Sequence, residues 1–259
     1  MDGRIDNESS LGKEGQVYVY NSTRQLLTPI ASFQVFLSLV MSQIQFGILM
    51  VPYQTIDVAG PVDILSCCSK ALVEGFETLG FPGATGMTQK AIDIKFHHVN
   101  ETMDPVTLTA DTKVLPTTTF EECPDLDYLL VGGPDPGTYQ LPDTFADFIR
   151  KHVKAGKRLF TTCTGALAIS PSGVLDGRNA TTNHGCVDYA KIVSPNVKWT
   201  KEKRWIIDGN FWTSGGATAG MDMLAYWVMQ NYGMDLAKLS FGALDYHPRD
   251  IDGNPVALS

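Results

Sequence analysis

No C-x-x-C pair occurs in this chain, and its five cysteines, Cys67, Cys68, Cys123, Cys163 and Cys186, are an odd number. A disulfide framework and a zinc knuckle are therefore not expected, and a reducing, cytoplasmic setting is. Basic charge is scarce, with 20 Lys and Arg against 28 Asp and Glu and a net charge of −8. That balance argues against a nucleic-acid or anionic-membrane surface. Lys198, Lys201, Lys203 and Arg204 form no dense cluster and read as the solvated face of a hairpin. The apolar stretch Ile30 to Met41 is too short to span a bilayer. It also lies too far from the start, behind a weakly charged lead, to serve as a signal peptide. The Rossmann fingerprint, the P-loop, internal repeats and low-complexity tracts are missing as well. His97-His98 alternate faces on an expected strand, so they make no metal pair, and one of them should meet solvent.

What remains is an ordinary globular composition, 44% apolar and 19% charged. Residues 1–43 read as an N-terminal extension, polar over 1–25, with Met41 as an alternative start. The apolar part of the extension is expected as a packed helix or strand, or as a leader. Residues 44–245 read as one domain and 246–259 as a tail. Within the domain, strands alternate with helices. Ile44–Val51, Ala91–Val99, Asp127–Val131, Arg158–Thr162 and Phe211–Ser214 are apolar, β-rich runs. Helices are expected from Pro61 to about Gly75, over Asp143–Val153, Thr164–Ser170 and Ala217–Tyr232, and from about Asp235 to Asp245. Pro61 is placed in the first turn of its helix. Strands buried on both faces and separated by helices give an α/β sandwich, a mostly parallel sheet with helices on both faces. Ligands of such sheets bind at the carboxyl ends of the strands. Asp57, Gly132-Gly133 and Cys163 converge there.

Cys163 ends the run Arg158-Leu159-Phe160-Thr161-Thr162 and is followed at once by Thr164-Gly165-Ala166-Leu167. This is a strand turning sharply into a helix with a thiol on the corner, a nucleophile elbow. A helix N-terminus there should favour the thiolate. The other four cysteines read as buried and inert, with at least one of Cys67 and Cys68 facing the core. Asp57, beside that thiol in a closed pocket, is expected to hold a raised pKa and act as acid and base; the simpler alternative is a helix cap. Backbone N–H groups of Gly132, Gly133 and Cys163 would meet developing negative charge, and Thr164 would orient the thiol or a water, or cap its helix. Asp222 reads as structural. Trp199, Trp205, Trp212 and Trp227 are assigned to the core or a dimer surface.

Five segments together resemble the DJ-1/PfpI superfamily. They are Thr55-Ile56-Asp57-Val58-Ala59-Gly60-Pro61, Tyr128-Leu129-Leu130-Val131-Gly132-Gly133, Thr162-Cys163-Thr164-Gly165, Gly177-Arg178-Asn179-Ala180-Thr181-Thr182, and Thr213 to Asp222. The Asp before Ala-Gly-Pro and the Cys-Thr-Gly elbow are most similar to the isocyanide hydratase branch. Protease-like members carry His directly after the cysteine, where Thr164 stands; DJ-1 itself has a glutamate in place of Asp57. The resemblance implies a flavodoxin-like fold of the class I glutamine amidotransferase type, a homodimer, a small-molecule substrate and no cofactor. It also implies a reaction, hydration of an isocyanide or similar small electrophile through a thioimidate on Cys163. Relatives often have Ala-Thr-Thr-His after the elbow helix. Here Asn183 follows Thr182 and the histidine comes one place later, at His184. A one-residue shift reverses the face of a strand but not of a loop, so Asn183 and His184 both remain substrate-site candidates. Three alternatives stand: glyoxalase-type chemistry on methylglyoxal, which needs His184 as base; a tailoring step on a larger metabolite; and a redox sensor without turnover. A DNA-binding regulator is not expected, because only about fourteen residues follow Asp245.

Overall fold

The computed structural model describes Ser9–Leu11, Val17–Val19 and residues 43–258. Strands β1 (Ser9–Leu11) and β2 (Val17–Val19) pair antiparallel, Ser9 opposite Val19, where the sequence pattern predicts no element. The apolar stretch at 30–41 and the alternative start at Met41 lie outside the described residues. Residues 43–259 form a separate compact unit.

Its centre is a seven-stranded sheet. The strands are β3 (Ile44–Leu49), β4 (Ile94–Asn100), β7 (Thr118–Thr119), β8 (Tyr128–Val131), β9 (Arg158–Thr161), β12 (Trp205–Asp208) and β13 (Phe211–Ser214). Their order is β12-β13-β9-β8-β3-β4-β7, and only the β12 edge runs antiparallel. Small pairs lie outside it: β5 (Val106–Thr107) with β6 (Lys113–Val114), and β10 (Asn179–Ala180) with β11 (Lys198–Trp199). The helices are α1 (Thr55–Ser66), α2 (Lys70–Thr78), α3 (Asp143–Lys154), α4 (Gly165–Ile169), α5 (Val187–Val193), α6 (Ala217–Tyr232) and α7 (Met234–Ala243). This is the mostly parallel α/β architecture expected, and it is flavodoxin-like.

An aromatic row fixes one sheet face. Phe96, Phe46, Tyr128, Phe160 and Trp212, from five neighbouring strands, lie with successive ring centroids 5.6–6.0 Å apart. Trp227 of α6 meets Tyr128 edge-on. Offset and edge-on pairs of this kind add to the apolar area they bury. All four tryptophans are buried, so they belong to the core.

One expectation needs correction. Pro61 lies inside α1, not in its first turn, and the helix begins at Thr55. An interior proline removes the bond to the carbonyl four residues back, here that of Asp57. That oxygen accepts instead from Thr162 Oγ1 at 2.8 Å, so a tertiary bond replaces the missing helical one. On β4, His97 is buried, its Nε2 2.7 Å from Gln45 Oε1, and His98 is half-buried. Neither ring is fully exposed, and of the two His98 keeps the greater exposure.

Register places the candidate site. Leu49 stands opposite Val131, and Val131 opposite Thr161. Three central strands therefore end level, and the chain leaves them at one edge. α1 crosses α6 at Gly60, where a Cβ would lie 2.7 Å from Met221 Sδ. Glycine permits that approach.

Candidate active site

Cys163 follows β9 with φ 53, a left-handed conformation that costs a non-glycine residue roughly 1–3 kcal/mol. The elbow is held by bonds on every side. Thr162 N–H donates to Val131 O at 3.0 Å, and Gly165 N–H to Thr162 O at 2.8 Å. Asn183 N–H and Thr182 Oγ1 both donate to Cys163 O, at 2.9 and 3.0 Å. Gly165 fits because a Cβ there would sit 2.4 Å from Val131 O.

The thiol is half-buried, and Asn183 Nδ2 lies 3.3 Å from Sγ. Asn183 Oδ1 accepts from Gly185 N–H at 3.0 Å, capping the following turn, so the amide's orientation is set by two partners. Burial pushes the Cys163 thiol up; the Asn183 amide and the Thr164 N–H pull it down, and the Asp57 charge adds to the rise. The expectation of a thiolate favoured by a helix terminus is thus corrected. α4 has only five residues, and desolvation outweighs what its end supplies.

Asp57 lies in the first turn of α1 with no solvent exposure. The cap position belongs to Gln54. Asp57 Oδ2 accepts from Gly133 N–H at 3.1 Å, while Oδ1 has no hydrogen-bond partner among the described residues. Burial pushes this carboxyl up to about 6, against the lowering effect of the Gly133 and Cys163 hydrogen bonds. The acid and the thiol thus lie close enough for each to act on the other's titration.

The glycine pair serves close approach. A Cβ on Gly133 would lie 2.6 Å from Thr164 N and 2.8 Å from Asp57 Oδ2; one on Gly132 would lie 2.7 Å from Tyr53 Cβ and Val58 Cγ2. The Gly133 N–H is already engaged by Asp57, so it is not the free oxyanion donor expected. Thr164 Oγ1 donates to Pro134 O at 2.6 Å and makes no cap bond. Beside Thr164 and Pro134 opens a cleft of about 290 Å³, walled in part by Tyr139, Leu141, Leu167 and Tyr189.

His184 is not brought to the thiol. Its side chain is exposed, Nε2 is 3.2 Å from Lys203 O, and the ring occupies the space a Cβ on Gly215 would need. The shift by one residue falls at a turn, and the ring leaves the site. Thr162 was missed from sequence, although a signal existed: a proline four residues after Asp57 leaves a carbonyl to be satisfied elsewhere. Among the described residues no group of three or more His, Cys, Asp or Glu is placed to hold a metal ion.

A level strand edge, a strained cysteine elbow and a buried carboxylic acid define a class, the α/β proteins with a cysteine nucleophile elbow. Within that class the chain belongs to the DJ-1/PfpI family, whose model matches residues 71–230. It is 30% identical over 207 residues to the isonitrile hydratase of Pseudomonas putida, covering 79% of each chain. It is 28% identical over 172 residues to the HTH-type transcriptional regulator CdhR of Pseudomonas aeruginosa, covering 64% of this chain and 51% of the regulator. Among solved structures it resembles a ThiJ/PfpI family protein from Pseudomonas syringae, with a TM-score of 0.62 at 24% identity over 81% of this chain and 78% of that one. No described helix is long and apolar enough to cross a membrane.

Proposed function

We propose that the protein is an enzyme that adds water to an isocyanide, or to a similarly small electrophile, through Cys163 and Asp57. The observation that carries this reading is the buried Asp57 carboxyl, held by one oxygen and without a partner at the other among the described residues, beside a half-buried thiol. Its likeness to an isonitrile hydratase supports the choice of electrophile.

At neutral pH the pair holds one proton, on sulfur, with Asp57 ionised. Asp57 takes that proton as Sγ attacks the terminal carbon of R–N≡C, and delivers it to the same carbon. The product is a thioimidate, R–N=CH–S–Cys163. Asp57, again a carboxylate, takes a proton from water as the hydroxide adds to the carbon and the nitrogen gains the proton. Collapse of that adduct breaks the C–S bond, returns a proton to sulfur and releases the formamide R–NH–CHO. A base raised to about 6 by burial suits both transfers. Gly132, Gly133, Thr164 and Asn183 shape the pocket and hold the thiol. Only groups of the protein and water take part, and the reading includes a cytoplasmic homodimer, in keeping with the family. The glyoxalase-type alternative is less well supported, because His184, the base expected for it, has its Nε2 3.2 Å from Lys203 O.

The purified protein is assayed with cyclohexyl isocyanide and with methylglyoxal, beside Cys163→Ala. Formamide formed by the wild type and lost in the variant is the expected result. Lactate from methylglyoxal, or no turnover together with fast peroxide oxidation of Cys163, overturns it in favour of a glyoxalase or a redox sensor.

A further inference from the structure

Asp57 and Cys163 come from elements far apart in the chain, and α1 is fastened to the end of β9 beside them. The helix itself leaves a gap there. Pro61 has no N–H, so the Asp57 carbonyl lacks its helical donor. Asp57 is fully buried, and a buried carbonyl left unpaired costs about 1–3 kcal/mol. The donor is Thr162 Oγ1 at 2.8 Å, 105 residues away and next in sequence to the nucleophile. Thr162 is itself fully buried.

The threonine is held in that rotamer by its other branch. Its Cγ2 occupies the notch left by Gly220 of α6, where a Cβ would come within 2.3 Å. Its backbone is tied on both sides, to Val131 O and by Gly165 N–H. One residue thus joins three parts: the strand that carries the thiol, the helix that carries the acid, and the helix that packs against α1.

We propose that Thr162 is a positioning residue, whose hydroxyl fills the hydrogen-bond gap made by Pro61 and thereby sets Asp57 against Cys163. It touches neither substrate nor the reacting atoms; it acts through the backbone of the acid. The kinetic part of the test rests on the reaction proposed above, and the chemical part does not.

Thr162→Val keeps the branched shape and removes the hydroxyl. Thr162→Ser keeps the hydroxyl and removes the methyl. An ångström of misplacement can cost about a hundredfold in rate, so Thr162→Val should lower kcat/KM for cyclohexyl isocyanide about 10- to 100-fold, chiefly in kcat. Thr162→Ser should stay within about threefold. Pro61→Ala gives the Asp57 carbonyl an N–H of its own, and the double variant Pro61→Ala/Thr162→Val should recover most of the loss. Independently of turnover, alkylation of Cys163 by iodoacetamide is followed against pH. Asp57 is the one charged group that acts on this thiol; the Asn183 amide and the Thr164 N–H are its other partners. Since the Asp57 charge raises the thiol, its displacement in Thr162→Val should move the alkylation midpoint to lower pH. Thr162→Ser and the double variant should keep the wild-type midpoint.

A Thr162→Val protein with wild-type turnover and midpoint overturns the proposal. So does a double variant no better than Thr162→Val, or a Thr162→Ser protein as impaired as Thr162→Val. Should Thr162→Val not fold, the double variant and Thr162→Ser carry the same comparison. If no isocyanide is turned over at all, the proposed reaction fails, while the alkylation profiles still decide the role of Thr162.

Discussion

Two buried aspartates in this molecule are treated in opposite ways. Asp222, in α6, is almost fully buried and fully partnered. Arg204 Nη2 and the Tyr246 hydroxyl donate to its two oxygens, and Arg249 N–H adds a bond at 2.9 Å. Together these bonds fasten the segment after α7 to the core, which also joins Arg204 N–H to Ile251 O at 3.0 Å. Asp57 is buried as deeply but receives a single backbone N–H, and its second oxygen has no hydrogen-bond partner among the described residues. Burial without enough donors raises a carboxyl's pKa and keeps its proton within reach; burial with a cation and donors fixes an anion in place. The first arrangement suits proton transfer, the second suits construction.

Replacing each acid by its amide should separate the two roles. Asp57→Asn removes the proton carrier, and turnover should fall about 10²- to 10⁴-fold, the usual worth of a general acid–base. Asp222→Asn leaves Arg204 without its counter-charge in a partly buried place and should cost about 3 kcal/mol in urea unfolding, with turnover per folded molecule close to wild type. Loss of stability in Asp57→Asn with intact turnover, or the reverse pattern at Asp222, would break the comparison.

A second way to sharpen it is pH. The folded Asp57 carboxyl titrates at about 6, above its value of ~4 in an unfolded chain. A raised pKa means that the folded state favours the neutral acid. The contribution is whole below pH ~4 and is lost as the pH climbs through about 6. At pH 8 the buried charge should therefore cost roughly 3 kcal/mol, from about two units at ~1.4 kcal/mol each. Asp57→Asn should be the more stable protein at pH 8, with the advantage vanishing near pH 4. Denaturation curves for both proteins across that range decide it; parallel curves would mean that the carboxyl titrates normally.

The same contrast explains what was legible in the sequence. Helix α6 was readable to its ends, because sixteen residues with apolar spacing lie between Gly216 and Gly233, and Gly233 takes φ 87. The strands and the elbow were readable because apolar runs stop at Gly132 and at Cys163. The start of α1 was not, since Pro61 lies inside the helix and the carbonyl it leaves without a helical donor is met by Thr162, a partner no local pattern reveals. The state of the thiol was hidden for the same reason. It depends on burial and on Asp57, both supplied by distant parts of the chain. Alternation along β4 separated the buried His97 from the more exposed His98, but it did not show how far the second face is covered.

A smaller effect is expected at Asn183. Its Oδ1 is committed to the Gly185 N–H, so Nδ2 is the atom offered to the sulfur. Asn183→Ala removes a donor that holds the thiol down, and alkylation of Cys163 at pH 7 should slow about fivefold, the worth of one hydrogen bond of ~1 kcal/mol. Asn183→Asp keeps the cap but sets a carboxylate oxygen beside the sulfur, and should slow it further. Equal rates in all three proteins would remove Asn183 from the site.

The smallest effect should come from His184, and its smallness is informative. Only if the imidazole reached Cys163 would the thiol have a second ionisable partner, and the unusual environment of Asp57 would then not be needed to explain its reactivity. The ring instead packs over Gly215, with Nε2 directed at Lys203 O. His184→Ala should leave isocyanide turnover within about twofold and stability within ~0.5 kcal/mol, as for an exposed side chain without structural duties. Its pH–rate profile should keep the acid limb near pH 6 that Asp57 supplies. A tenfold loss, or disappearance of that limb, would transfer the base from the helix to the turn after β10 and make the proton shuttle of Asp57 unnecessary.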